Sequence, residues 1–326
     1  MIVRLGLAVA LAFCILCILA LASLAIGAKS LAIGEVFAAL GGEASATAHE
    51  IVAMRLPRTL LAILAGIGFA LAGAVMQAVT RNVLADPGIM GVNAGASLAV
   101  ILCVTLTGMA QPMALVWVAM GGALAAGAVV QIFSVLGGAT ALRLVLCGVA
   151  MSAIAGGAGW AITLSDPDLF RRVLVWVAGS LIVTDFQPVR AVAPFVLAGA
   201  LLALVLGPRL NAVALGNDLA RALGVGMAGT QMAAAASVIV LAGAATSATG
   251  PVGFVGLLAP LAARAIIGVD QRAILVLTAL LGPVLLLSAD LLARVVLPQG
   301  EAPLGIVMAF AGAPVLIGLA YRIGDL

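Results

Sequence analysis

The chain has 326 residues, 65% of them hydrophobic and 8% charged, with a formal net charge of +3 and a mean hydropathy of +1.34. Ordinary soluble domains carry about 25% charged residues, so this composition excludes a water-soluble globule. A crossing of the hydrocarbon core needs about 20 apolar residues, which limits the chain to about ten to twelve transmembrane helices in a single domain over 1–326. The 39 glycines read as packing residues, because small side chains let helix backbones approach closely in lipid.

The first span, near 5–26, follows Arg4. It exceeds the about 7 to 15 apolar residues of a secretory signal and is expected to be a retained helix. Lipoprotein processing is excluded as well, since Phe13 precedes Cys14 and Leu16 precedes Cys17 rather than a small residue. All four cysteines (Cys14, Cys17, Cys103, Cys147) lie in apolar runs and read as small buried hydrophobes. With His49 the only histidine, no histidine-based metal cluster fits within one chain, and neither cofactor nor metal is expected.

Further spans follow near 58–79, 88–107, 113–135, 143–164, 189–207, 230–249, 253–267, 273–293 and 304–321. The short span at 253–267 is interrupted by Pro260, which membranes tolerate where protein shields the freed backbone groups, so it is expected in the interior. Ten crossings put both termini on one side. Placing them in the cytoplasm leaves Arg4, Arg81, Arg143, Arg209, Arg221, Arg264, Arg272 and Arg322 inside and the other seven basic residues outside, a thin margin for the positive-inside rule.

Charges avoid the middle of every span; Asp290 and Arg294 sit one turn apart near a helix end. The mid-membrane acid or base of an ion-coupled transporter is therefore missing, which weighs against a self-sufficient secondary transporter or channel. The only lysine, Lys29, follows Ala28, so the chain lacks the Gly-Lys-Ser/Thr ending of a phosphate-binding loop. No cluster of His, Cys or paired carboxylates suggests a membrane enzyme. If transport is active, its energy must therefore come from another subunit. An internal echo joins Leu71-Ala72-Gly73-Ala74, followed by Gly88 to Gly91, with Leu241-Ala242-Gly243-Ala244, followed by Gly253 to Gly256. The two copies would run in opposite directions, as in the inverted repeats of many transporters.

Three blocks carry a stronger signal. Residues 55–96 contain Arg55-Leu56-Pro57-Arg58, Gly73 to Gln77, Arg81-Asn82-Val83-Leu84-Ala85-Asp86-Pro87 and Gly91 to Ala96. Residues 250–272 read GPVGFVGLLAPLAARAIIGVDQR, and 289–322 read ADLLARVVLPQGEAPLGIVMAFAGAPVLIGLAYR. In this order they resemble the signatures of the FecCD-type permeases, which import iron-siderophores, haem and vitamin B12 with the help of soluble binding proteins. Val83 stands where that family usually has proline, and Leu261 and Gln271 where it usually has histidine.

The resemblance implies an all-α membrane protein with the type II ABC importer permease fold. It implies a pore made with a second permease copy in the bacterial inner membrane, ATP-binding cassette subunits on the cytoplasmic side and a periplasmic substrate-binding protein outside. Nucleic acid has no part in it. Iron-siderophore is the expected cargo, with haem or vitamin B12 as alternatives. Arg55, Arg58 and Arg294 are expected at the external mouth, where the family docks glutamates of the binding protein; lipid-headgroup contact is the other reading. The segment 215–225, with Gly216, Asp218, Ala220, Leu223 and Gly224, resembles the family's ATPase-coupling segment, against the plain reading of an interfacial loop. Thr140, Ala141 and Leu142 fall at the family's cytoplasmic gate, and Trp176, Gly179 and Ser180 beside its channel. Asp166 and Asp168 read equally as solvated loop acids.

Overall fold

The computed structural model describes residues 2–109, 111–137, 141–297 and 300–324. Thirteen α-helices are described: α1 (Ile2–Ala25), α2 (Ile33–Gly41), α3 (Ala46–Thr80), α4 (Val92–Thr107), α5 (Pro112–Leu136), α6 (Ala141–Ser165), α7 (Pro167–Val177), α8 (Gln187–Ala214), α9 (Asn217–Ala222), α10 (Met227–Thr249), α11 (Val255–Ile267), α12 (Gln271–Val295) and α13 (Leu304–Gly324). A 3₁₀ turn, Pro87–Met90, precedes α4. Among the described residues seven helices are long and apolar enough to cross a membrane, and α4, α11 and α13 are shorter apolar helices. These ten match the ten expected spans.

Helix α3 forms the axis of the bundle. Its residues Leu61, Ala65, Phe69, Leu71 and Val75 are fully buried, and α8, α10, α11 and α12 pack around it. Small residues set that arrangement. A Cβ on Gly73 would overlap the carbonyl of Gly256, so the backbones of α3 and α11 meet where only glycine fits. By contrast α1 stands at the periphery, with Val3, Leu7 and Leu11 exposed. On a membrane protein such a face meets lipid.

The two echoing segments lie on α3 and α10, which traverse the bundle in opposite directions and touch where Gly68 faces the Leu241 carbonyl. Each helix is followed by a break. After α3 the chain re-enters and places the Ile89 carbonyl against Gly148 of α6. After α10 it turns at 250–254 with Phe254 at φ 70°, a left-handed conformation costly for a bulky side chain.

Three elements depart from the sequence reading. Helix α3 starts at Ala46, not near 58, and runs through Pro57; α8 continues to Ala214 through Pro194 and Pro208. Proline ends helices in water, whereas a packed bundle re-satisfies the freed carbonyls. Helix α2 was not expected from periodicity. It forms because Glu35 accepts from the Ala32 backbone N–H (2.9 Å) and Gly42 closes the helix at φ 81°.

Candidate functional site

At one end of the bundle, the start of α3, the end of α12 and the loop before α13 converge on Asp290. Its side chain is 2% exposed and would be prohibitively placed without counter-charge. Arg58 supplies it through Nη2 at 2.7 Å and Nε at 3.1 Å. Arg294, one turn along α12, donates to the other carboxylate oxygen. Arg58 also forks onto Glu301, with Nη1 to Oε1 at 3.0 Å and Nη2 to Oε2 at 2.7 Å. Burial pushes the Glu301 carboxyl up, but the Arg58 hydrogen bond and the Arg58 and Arg294 charges outweigh it and hold the group below its ordinary value. Glu301 is the accessible member, with a side chain 33% exposed against 12% for Arg58.

The remaining donors point inward as well. Arg294 Nη1 donates to the Ser23 carbonyl (2.7 Å) and the Ile26 carbonyl (3.0 Å). Arg55 Nη1 donates to the carbonyls of Leu24 (2.7 Å) and Ala25 (2.9 Å), and its Nη2 to that of Lys29 (2.6 Å). The three arginines expected together are thus brought together, and they tie the end of α1 to α3 and α12. Three guanidinium groups against the carboxylates of Asp290 and Glu301 leave one net positive charge. In the sequence Asp290 stands out as a charge near a helix end and as part of the third block, and Glu301 as part of that block alone.

The channel-side residues lie next to this cluster. A cavity of about 270 Å³ is lined by Arg58, Asp290 and Glu301 together with Gly179, Ser180 and Leu181. Gly179 adopts φ 78°, the left-handed turn that lets the chain leave α7. Ser180 then donates its backbone N–H to the Thr249 carbonyl (2.8 Å), while Leu304 and Gly305 at the start of α13 donate to the Gly179 and Ala178 carbonyls (both 3.1 Å). Trp176 is half-buried and packs against the main core, and its carbonyl lies against Gly250. Asp166 caps α7 by accepting from the backbone N–H of Asp168 (2.9 Å), and exposed Asp168 pairs with Arg171 at 3.7 Å. Thr140 lies outside the described residues. Ala141 opens α6, and Leu142 beside it is exposed.

The opposite end carries a different surface. Helix α9 is a single turn and a half, entered through Gly216 at φ 108° and left through Gly224 at φ 79°. Ala220 is its anchor, fully buried, whereas Leu219 within it, Leu223 at its end and Leu215 at the end of α8 are 53–62% exposed. Exposed Asp218 and Arg221 pair loosely at 3.7 Å. Arg81, at the end of α3 with φ 52°, joins Leu215, Gly216, Asp218, Leu219 and Arg221 around an open cavity of about 530 Å³. Sequence reasoning kept Arg81 within the first block and did not bring it here.

The departures have local accounts. At Val83 the turn is held by Asn82, whose Oδ1 accepts from the Leu84 N–H (2.9 Å). Gln271 is buried, and its backbone N–H donates to Asn211 Oδ1 (2.7 Å) while Asn211 Nδ2 donates to Asp270 (2.8 Å), so α8 is tied to the start of α12. Nothing in the structure explains Leu261.

Comparison with known proteins places this geometry. The sequence pattern of the FecCD transport family matches residues 15–322. The chain is 44% identical over 304 residues to the ferric enterobactin transport system permease protein FepD of Escherichia coli, covering 92% of this chain and 90% of that protein. It is 34% identical to the hemin transport system permease protein HmuU of Yersinia pestis, over 94% of this chain and 93% of that one. A solved structure described as an inward-facing conformation of a metal-chelate type ABC transporter superposes with a TM-score of 0.87 at 27% identity, covering 96% of this chain and 98% of that chain.

Proposed function

The chain belongs to the FecCD transport family, and from that premise we propose that it is the permease subunit of an ABC importer for a ferric siderophore. Two copies form the translocation pathway in the bacterial inner membrane, with both termini in the cytoplasm. Separate ATPase subunits grip the face carrying α9, and a periplasmic binding protein delivers cargo to the end carrying Asp290. The observation that carries this reading is α9 itself. A short helix anchored by buried Ala220, presenting Leu219 and, at its end, Leu223, with exposed Leu215 beside it at the end of α8, suits insertion into a partner's cleft, where apolar side chains at the centre of an interface contribute most.

A second copy is supported by α6. Ala153, Gly157 and Ala161 are exposed at four-residue spacing, and nothing lies within 4 Å of a Cβ built on Gly157. Such a stripe lets another helix approach closely. Leu142, at the start of α6, would then belong to the inner gate, and Trp176, Gly179 and Ser180 to the outer wall of the pathway.

Docking of the binding protein is proposed at the cluster of Arg55, Arg58 and Arg294, with Glu301 as the exchangeable partner. The incoming carboxylate replaces Glu301 on Arg58, while Asp290 holds both buried guanidiniums in place. Reversing the arginine charges would dismantle the cluster, so Glu301→Gln is the informative variant. It is expected to strengthen docking by about threefold to tenfold, roughly the worth of one modest charged pair; weakened docking would make Glu301 a brace instead.

The function is tested by reconstituting the chain with its ATPase and binding protein in vesicles and following uptake of ferric enterobactin and of haemin. ATP-dependent uptake that needs all three components is expected, with ferric enterobactin favoured in view of the 44% relative. Uphill uptake by the chain alone on an ion gradient would overturn the importer reading.

A further inference from the structure

Among the described residues, two arginines, at the N-terminal end of α1 and the end of α11, are left without partners. Arg4 and Arg264 line a cleft of about 440 Å³ together with Ala265, Ile266, Ile267 and Gly268. Among the described residues neither guanidinium makes a hydrogen bond or an ion pair, and Arg264 Nε is shielded from solvent with no acceptor. The acid nearest in sequence, Asp270, is already engaged by Asn211 and by the Arg272 backbone N–H. Two cations in one cleft, one of them with a buried unmet donor, call for an anion that brings several acceptor oxygens.

The surroundings identify its class. Helix α1 is fixed against α11 and α12 through Ala12, Ala263, Ile274 and Leu277, with Ala8, Val9 and Ile267 packed beside them. Its other face continues away from Arg4 as exposed Val3, Leu7 and Leu11, and Ile266 is exposed next to Arg264. A phosphate held at the mouth of this cleft would thus have its attached acyl chains running along an apolar, lipid-facing stripe. Basic pockets between transmembrane helices are suited to anionic headgroups in this manner.

We propose that the cleft between the start of α1 and the end of α11 binds the phosphate headgroup of an anionic phospholipid. Arg264 supplies the fixed donor and Arg4 the mobile one. The site is independent of cargo and nucleotide, so its test stands apart from the import reading.

Native mass spectrometry of the purified chain, titrated with phosphatidylglycerol and phosphatidylcholine, reads the site directly. A preference of about tenfold for phosphatidylglycerol, equivalent to about 1.4 kcal/mol, is expected. Arg4→Gln, at an exposed position, should lose part of the preference with the melting temperature unchanged, and Arg4→Gln with Arg264→Gln should lose all of it. Equal binding of the two lipids, or a preference that survives in the double variant, overturns the proposal. Displacement of phosphatidylglycerol by equimolar inorganic phosphate overturns the lipid as occupant. Loss of ATPase co-purification with lipid preference intact overturns it too, and assigns the arginines to a protein partner.

Discussion

The two ends of the bundle treat their charges in opposite ways. At the end holding Asp290, three arginines direct most of their donors onto Asp290, Glu301 and the carbonyls near the end of α1, although Arg294 Nε is buried without an acceptor. At the other end, among the described residues, Arg4 and Arg264 have no partner and Arg221 only a loose one at 3.7 Å, and leucines around α9 are held in the open. The first end meets most of its charge internally, with Glu301 as the contact we propose to be exchangeable, and the second leaves guanidinium groups open to the partners proposed for it. Cations near a membrane are costly when buried and inexpensive when solvated, so the internal pairing at the Asp290 end reflects depth as much as function.

The largest test of this contrast is Asp290→Ala. It leaves Arg58 and Arg294 buried without their shared acid, and breaking a buried pair costs about 3 to 5 kcal/mol. Thermal unfolding of the purified chain should show a clear loss of stability. An unchanged melting temperature would mean that the pairing is not what holds α3 to α12.

Next in size, Leu219→Glu combined with Leu223→Glu should leave the melting temperature alone, because both side chains are exposed. ATPase binding should fall by about thirtyfold or more if these are interface anchors worth about 2 kcal/mol. Undisturbed binding and coupled uptake would return 215–225 to the status of an interfacial loop.

Much of this was legible from the sequence. Ten apolar runs gave ten helices because hydropathy and length leave few other solutions in a bilayer, and the Asp218 to Gly224 pattern gave α9 because an acid in the first turn and a left-handed glycine after the last are local signals. The Asp290 cluster was only half legible. Arg58 and Asp290 are 232 positions apart and Arg58 and Glu301 243, and no local period links them. The same holds for Arg81 beside Gly216 and for Arg4 beside Arg264. Helix ends at Pro57 and Pro208 were misplaced because propensities measured in water do not describe helices wrapped by other helices.

The smallest effect concerns the exchangeable contact. Arg58 and Arg294 hold the Glu301 carboxyl below its ordinary value against the upward push of burial. A depressed carboxyl stabilises the folded state above the unfolded pKa of about 4.3, and that contribution disappears as pH falls through the lower folded value. Because the Glu301 side chain is one-third exposed, the gain is screened and amounts to no more than about 1 kcal/mol. The difference in melting temperature between the native chain and Glu301→Gln should therefore be flat from pH 7 to 5 and shrink only below about pH 4. A difference that already closes between pH 7 and 5 would show that Glu301 is not held ionised by Arg58, and would remove the reason to regard it as the stand-in for a docking carboxylate.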